Sequence, residues 1–154
     1  MIGMRLNRNQ GERLFVVCQA NEANIAADDV VMFELTAASV DGIKIGQPST
    51  AGLSAVVGIA DAAIANGGFG LVQCYGYRST CKVVMTGTSV TPGHVLQAVN
   101  AADHLAYGGT IPANLSPLFV ALASVATSAT SATASTKIFI RCMTALLALS
   151  CMLR

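Results

Sequence analysis

The stretch Val56–Val84, VVGIADAAIANGGFGLVQCYGYRSTCKVV, constrains the fold more than any other part of the chain. It reads as an apolar strand, a short polar turn ending in glycines, and a longer strand carrying Leu71, Val72, Cys74, Tyr75 and Tyr77. A further turn at Arg78–Thr80 leads into Lys82–Met85. β-Branched and aromatic residues fit a pleated, half-buried surface. The turn at Asn66-Gly67-Gly68 needs positive φ, which glycine adopts without a steric penalty. This is a hairpin signature, not a catalytic one.

The turn within it has counterparts elsewhere. Ile25-Ala26-Ala27-Asp28-Asp29-Val30-Val31 matches Val90-Thr91-Pro92-Gly93-His94-Val95-Leu96, and Ile64-Ala65-Asn66-Gly67-Gly68-Phe69-Gly70-Leu71 is a looser third copy. Each is an apolar residue, a tight turn and an apolar strand. An apolar plug before a turn lets the next strand start against a core, so recurring corners suit a compact barrel or two-sheet sandwich. Their irregular spacing rules out a solenoid.

Further strands are expected at Arg13–Gln19, Val30–Leu35, Ser54–Ile59, His94–Val99 and Thr136–Cys142. In the last of these, Ile138 and Ile140 alternate with Lys137, Phe139 and Arg141. Asp41-Gly42 predicts a tight hairpin into Ile43–Ile45. Asp61–Ala65 has room for one helical turn, and Ala101–Ser116, interrupted by glycine and proline, reads as loop. Leu118–Ser124 fits a strand or a short helix, and the low-complexity Thr127–Ser135 a flexible loop or a flat strand. The fold class is all-β, a compact β-barrel or two-sheet sandwich. The β domain occupies 12–142, with an N-terminal arm over 1–11 and an apolar C-terminal tail over 143–154.

At 154 residues, one domain can bury a core without staples. Apolar residues make up 53% and charged residues only 11%, under half the usual charged share, so a lone monomer presents a surface that tends to associate. The net charge is +1 and no basic stripe interleaves with aromatics, so nucleic acid is not an expected partner. Arg5, Arg8 and Arg13 form the one basic cluster, and it reads as a solvated or partner-bound arm rather than a phosphate contact. The N-terminus lacks the apolar core of a signal peptide. Met143–Leu153 is too short to span a bilayer, and Leu118–Ala134 is broken by hydroxyl residues, so no membrane segment is expected.

Catalysis needs a nucleophile with a base, paired carboxylates or a metal cluster. Asp28-Asp29 is a carboxylate pair, but neighbours on an extended chain point to opposite faces, which makes them turn residues. His94 and His104 stand at no ligand spacing from cysteine pairs, so neither zinc nor another metal is expected. The five cysteines, Cys18, Cys74, Cys81, Cys142 and Cys151, contain no CxxC motif. Cys74 and Cys81 would face each other if their strands paired; as the chain has no export signal, buried free thiols are the default. Gly67-Gly68-Phe69-Gly70 lacks the lysine of a phosphate loop and leads into a strand. No enzymatic activity and no cofactor are expected.

The segments Val57-Gly58-Ile59-Ala60, Ile64 to Gln73 and Tyr75-Gly76 resemble the cement or decoration proteins, and related head components, of tailed bacteriophages. Ser89 to Leu96 matches the turn-strand that follows in that family, and Lys137–Arg141 the strand that closes the domain. The likeness covers about Val30 to Arg141. Where many members carry Gly-Asp after the first turn, this chain has Asp28-Asp29, and at the later turn it has Gly93-His94. The resemblance implies a structural virion protein made in the host cytoplasm and bound to the outside of the capsid. Its partners would be the major capsid protein and itself, as a homotrimer that stabilises the shell by bridging neighbouring capsid proteins. Arg5, Arg8, Leu146 and Leu147 are the candidate partner-binding residues, since arms and tails add contacts across such interfaces.

Two other readings compete. One is another virion component: a tail, head-fibre or head–tail junction protein. The other is a cytosolic binding barrel or an enzyme whose site assembles only in three dimensions, with Cys74, Cys81 or His94 as participants.

Overall fold

The computed structural model describes residues 12–21, 23–35, 42–49, 55–85, 89–107, 119–126 and 132–142. These form eleven strands: β1 Arg13–Ala20, β2 Val30–Phe33, β3 Lys44–Gly46, β4 Val56–Ala60, β5 Phe69–Arg78, β6 Lys82–Met85, β7 Val95–Ala98, β8 Leu105–Tyr107, β9 Phe119–Ala121, β10 Ala132–Ser135 and β11 Ile138–Arg141. The fold is all-β, and no helix among the described residues is long and apolar enough to cross a membrane.

β1 to β5 close into a barrel. β3 pairs with β1 in parallel and with β2 in antiparallel, β2 pairs with β4, β4 with β5, and β5 returns to β1. Closure removes the unpaired edges that would otherwise invite aggregation. β6 to β11 repeat this connectivity. β8 pairs with β6 in parallel and with β7 in antiparallel, and β7 pairs with β9. The final strand is split: β10 returns to β6 while β11 pairs with β9. Thr136 and Lys137 join the two halves. The chain is therefore two rings of one topology in tandem.

The recurring corners are the basis of this repetition. Ile25 and Ile64 form an antiparallel bridge in the first ring, as Val90 and Val125 do in the second. In the turns that follow, the amides of Asp29, Gly68 and His94 donate to the carbonyls of Ala26, Ala65 and Thr91 at 3.4, 2.8 and 3.0 Å. The third residue of each turn has positive φ: Asp28 (67°), Gly67 (74°) and Gly93 (89°). Each then docks on a strand end in the same way. The amides of Asp28, Gly67 and Gly93 donate to the carbonyls of Ala60, Ala20 and Ala121, whose own amides donate back to Asp29, Gly68 and His94. Three different turn sequences thus satisfy the same backbone groups.

The rings share a wall. Val31 and Val57 belong to the core of the first barrel with Cys18, Ile45, Ile64 and Val72. Val30, Met32, Val56 and Ile59, on the same two strands, pack instead with Leu96, Leu105, Phe119, Ile138 and Ile140 of the second ring. That explains why β4 is buried along its whole length. β11 also continues the sheet from β5, with Ile138 opposite Arg78 and Arg141 opposite Tyr75.

Several expectations change. β4 and β5 pair at only two positions, Ile59 with Gln73 and Ala60 with Val72, so the glycine turn is a corner that plugs a neighbouring strand and not the tip of a hairpin. Asp61–Ala65 is irregular, with Ile64 in a bridge, and holds no helical turn. Leu105–Tyr107, expected as loop, is strand β8, held between β6 and β7. β2 and β3 form a hairpin, but Asp41 lies outside the described residues and the tight turn expected there is not described. β5 and β6 do not pair with each other; they run on as one kinked path along β10 and β11. Cys74 and Cys81 consequently do not oppose one another, and both are buried and free.

Candidate interaction surface

Two features stand out where the rings meet and beside them: a charge network around the buried Arg78 and an exposed apolar strip. The network starts from Asp28-Asp29, whose carboxylates diverge as adjacent side chains do. Asp28 Oδ1 accepts from Arg78 Nε and Nη2 at 3.1 and 2.6 Å and from Thr80 Oγ1 at 3.1 Å. Arg78 also donates to Asp61, Gln73 Oε1 and the carbonyls of Ala60 and Thr80, which occupies its fork of donors. Gln73, fully buried, spends its amide on the carbonyls of Tyr75 and Tyr77. Asp29 accepts from Lys82, which also reaches Asp103 at 3.1 Å. Burial alone would lower the Lys82 pKa, but its hydrogen bonds to Asp29 and Asp103 raise it. Burial likewise pushes Asp103 up, and the bonds to Lys82 and His104 outweigh it, leaving the carboxyl below its ordinary value. Every cation here is matched by carboxylates, so the network ties the rings together and offers no free nucleophile.

Among the described residues, Cys74, Cys81 and His94 share no hydrogen bond with one another. His94 Nδ1 accepts from the Thr91 amide and its ring lies 4.7 Å from that of Tyr107, while His104 pairs with Asp103. Cys74 and Cys81 are buried thiols with pKa values pushed up by burial, Cys81 to about 12. Among the described residues no three potential ligands are placed to hold a metal. A cleft of about 140 Å³ lies beside the network, lined in part by Asn21, Asn24, Asp29, Gln47 and Asp103. Asn21 Nδ2, at its wall, is buried and has no hydrogen-bond partner among the described residues.

The strip lies on the outer face of the β1–β5 ladder. Successive outward positions on a strand alternate, so Phe15 and Val17 share a face, as do Phe69 and Leu71. Val17 stands opposite Leu71, and Phe69 opposite Gln19. These four side chains are 38, 62, 65 and 47% exposed respectively for Phe15, Val17, Phe69 and Leu71. Scattered exposed apolar residues are ordinary, but a contiguous cross-strand set marks a contact surface. The second ring shows that the topology does not demand it. There the matching β6–β10 ladder sets Lys82 against Ser135 on its partly exposed face.

Both chain ends leave from one level of β5. Arg13 opposes Gly76 on one edge, and on the other the Cys142 amide donates to the Cys74 carbonyl at 3.0 Å. Arg5, Arg8, Leu146 and Leu147 lie outside the described residues, but the segments that carry them are rooted within two residues of each other on that strand. The strip itself was missed in the sequence because Phe15 and Val17 sit in a continuous apolar run that reads as buried.

No family model matches the chain. No curated protein matches it either. Among solved structures it is similar to the head fiber gp8.5 N base in bacteriophage phi29, at a TM-score of 0.47 and 12% identity, over 84% of this chain and 94% of that one.

Proposed function

We propose that this chain is a non-catalytic structural component of a phage virion that binds the outer surface of the capsid and stabilises it by bridging neighbouring major capsid proteins. The observation that carries the reading is the exposed strip Phe15, Val17, Phe69 and Leu71 beside the roots of both chain ends. Two of its four residues, Phe69 and Leu71, lie on the segment around Ile64–Gly76 that resembles head decoration proteins. An apolar face flanked by two tethers fits a subunit held by many modest contacts, and repetition over a shell makes such contacts collectively strong.

The test is to add the purified protein to capsids that lack it. Saturable binding, a raised disruption temperature, and loss of both in Val17→Asp/Leu71→Asp are the expected results. Binding to tails or fibres instead of the shell would support another virion component, the alternative that the same β module serves equally well. No binding to any particle would overturn both readings.

A further inference from the structure

We propose that Cys74 and Cys142 form a disulfide site across the junction of the two rings, free in the reduced protein and closed by oxidation. β11 runs antiparallel to β5, with Ile140 opposite Gly76 and Arg141 opposite Tyr75. The Cys142 amide donates to the Cys74 carbonyl at 3.0 Å, which carries the same register one residue further and sets the two cysteines opposite each other. Opposed residues of an antiparallel pair share a face of the sheet. Here that face is the inner one, since both side chains belong to the core of the second ring with Ile138 and Ile140. Opposed Cα atoms joined by hydrogen bonds stand about 5.5 Å apart, inside the roughly 4.4–6.8 Å that a disulfide spans.

Among the described cysteines, neither Cys18 nor Cys81 is so placed. Cys18 opposes Gly70, about 13 Å along β5 from Cys74 at the rise of a strand, and packs in the core of the first barrel. The Cys81 carbonyl accepts from the Thr136 amide, and Thr136 stands about 20 Å of extended chain before Cys142.

In the reduced protein the Cys74 thiol is turned the other way. Its Sγ donates to the Leu14 carbonyl of β1 at 3.4 Å, across the opposite edge of β5. A change of side-chain rotamer would exchange that contact for a bond to Cys142. Opposed Cβ atoms, about 4.5–5.5 Å apart, would also have to draw in toward the roughly 3.8 Å of a disulfide. Burial raises both thiols, so thiolate is scarce and closure is slow in the folded state.

The oxidant is a small-molecule disulfide such as oxidised glutathione. One cysteine thiolate attacks one of its sulfurs, forming a mixed disulfide and expelling a glutathione thiolate. The second cysteine thiolate then attacks the protein sulfur, closing the bond between Cys74 and Cys142 and expelling the other glutathione. The protein gives up two electrons and two protons, and the oxidant takes them up as two thiols. The bond ties β5, a strand of the first ring, to the end of β11 in the second. The site is a property of the chain itself and does not depend on capsid binding.

The test holds folded and urea-unfolded protein in glutathione buffers of rising oxidised-to-reduced ratio until the products stop changing. Free thiols are then alkylated, and linked peptides are identified by mass spectrometry. In the folded protein the link between Cys74 and Cys142 should predominate. In urea, where ring closure favours short loops, Cys74 with Cys81 and Cys142 with Cys151 should overtake it. A folded protein in which another pair predominates, or in which both cysteines are still alkylated at the most oxidising ratio, would overturn the proposal. Oxidation should also raise the unfolding temperature of the parent by several degrees and leave that of Cys142→Ala unchanged. An equal rise in Cys142→Ala would assign the gain to another pair of thiols and overturn the site.

Discussion

Arg78 Nη2 donates to Asp28 Oδ1 at 2.6 Å, joining the end of β5 to a turn 50 residues earlier. The side chain of Arg78 is only 8% exposed, and its other donors go to Asp61, Gln73, Ala60 and Thr80. Removing the guanidinium takes the Arg78 donor from the fully buried Gln73 Oε1, while Asp28 and Asp61, 29 and 45% exposed, can turn to water. Arg78→Met should therefore destabilise the protein by about 1–3 kcal/mol. Arg78→Lys should recover only part of that, because an ammonium cannot reproduce the planar fork. Urea unfolding of the two variants checks both statements, and an Arg78→Lys protein as stable as the parent would contradict the geometry.

The Lys82 pair adds a pH dependence of defined sign. Asp103 has its pKa held below the ordinary carboxyl value in the folded state. Its contribution is therefore complete above the unfolded pKa and is lost as pH falls through the folded one. Lys82 is raised, so its share is complete below its unfolded pKa and disappears as pH rises through the folded value. The Asp103 side chain is 47% exposed, and solvent screening limits such a pair to at most about 1 kcal/mol. Asp103→Asn should cost up to that amount near neutral pH, and the gap from the parent should close only as pH falls below the ordinary carboxyl range. Unfolding midpoints measured across that range decide it.

The corners were legible in sequence because an apolar residue before a tight turn is a local signal. That Ile25, Ile64 and Val90 open equivalent corners could be read directly. That the equivalence extends to two rings could not. The three turns use Ala27-Asp28, Asn66-Gly67 and Pro92-Gly93 to reach one geometry, and what repeats is the docking of a backbone amide on Ala60, Ala20 or Ala121, alanines that stand at no fixed spacing from their turns. Leu105–Tyr107 is a strand only because β6 and β7 hold it on either side. The charge network is invisible for the same reason: Asp28 reads as a turn residue until Arg78 is brought to it.

Two glycines with positive φ should respond differently to alanine. Gly67 has φ of 74° and open space where a Cβ would stand, so Gly67→Ala should cost only the left-handed backbone penalty, about 1–2 kcal/mol. Gly76 has φ of 100°, and a Cβ there would collide with the Glu12 carbonyl where β1 begins. Gly76→Ala should cost clearly more and disturb the β1–β5 pairing. Thermal unfolding of the pair tests the ordering; equal losses would mean that the close approach to β1 is not needed.

The thiols give a last prediction. Cys18, Cys74, Cys81 and Cys142 are all buried. Burial and the neighbouring Cys74 push Cys18 up to about 11, Cys81 stands at about 12, and Cys74 and Cys142 are raised as well. The reactive species is the thiolate, and at neutral pH its fraction at Cys18 would be on the order of one in ten thousand. A thiol reagent should thus modify at most one of the five cysteines in the native protein, Cys151, and all five after denaturation. Mass spectrometry of the labelled chain locates the modified residue. Rapid native labelling at Cys74 or Cys142 would mean that the junction between β5 and β11, where the two rings and the C-terminal root converge, opens far more readily than its packing implies.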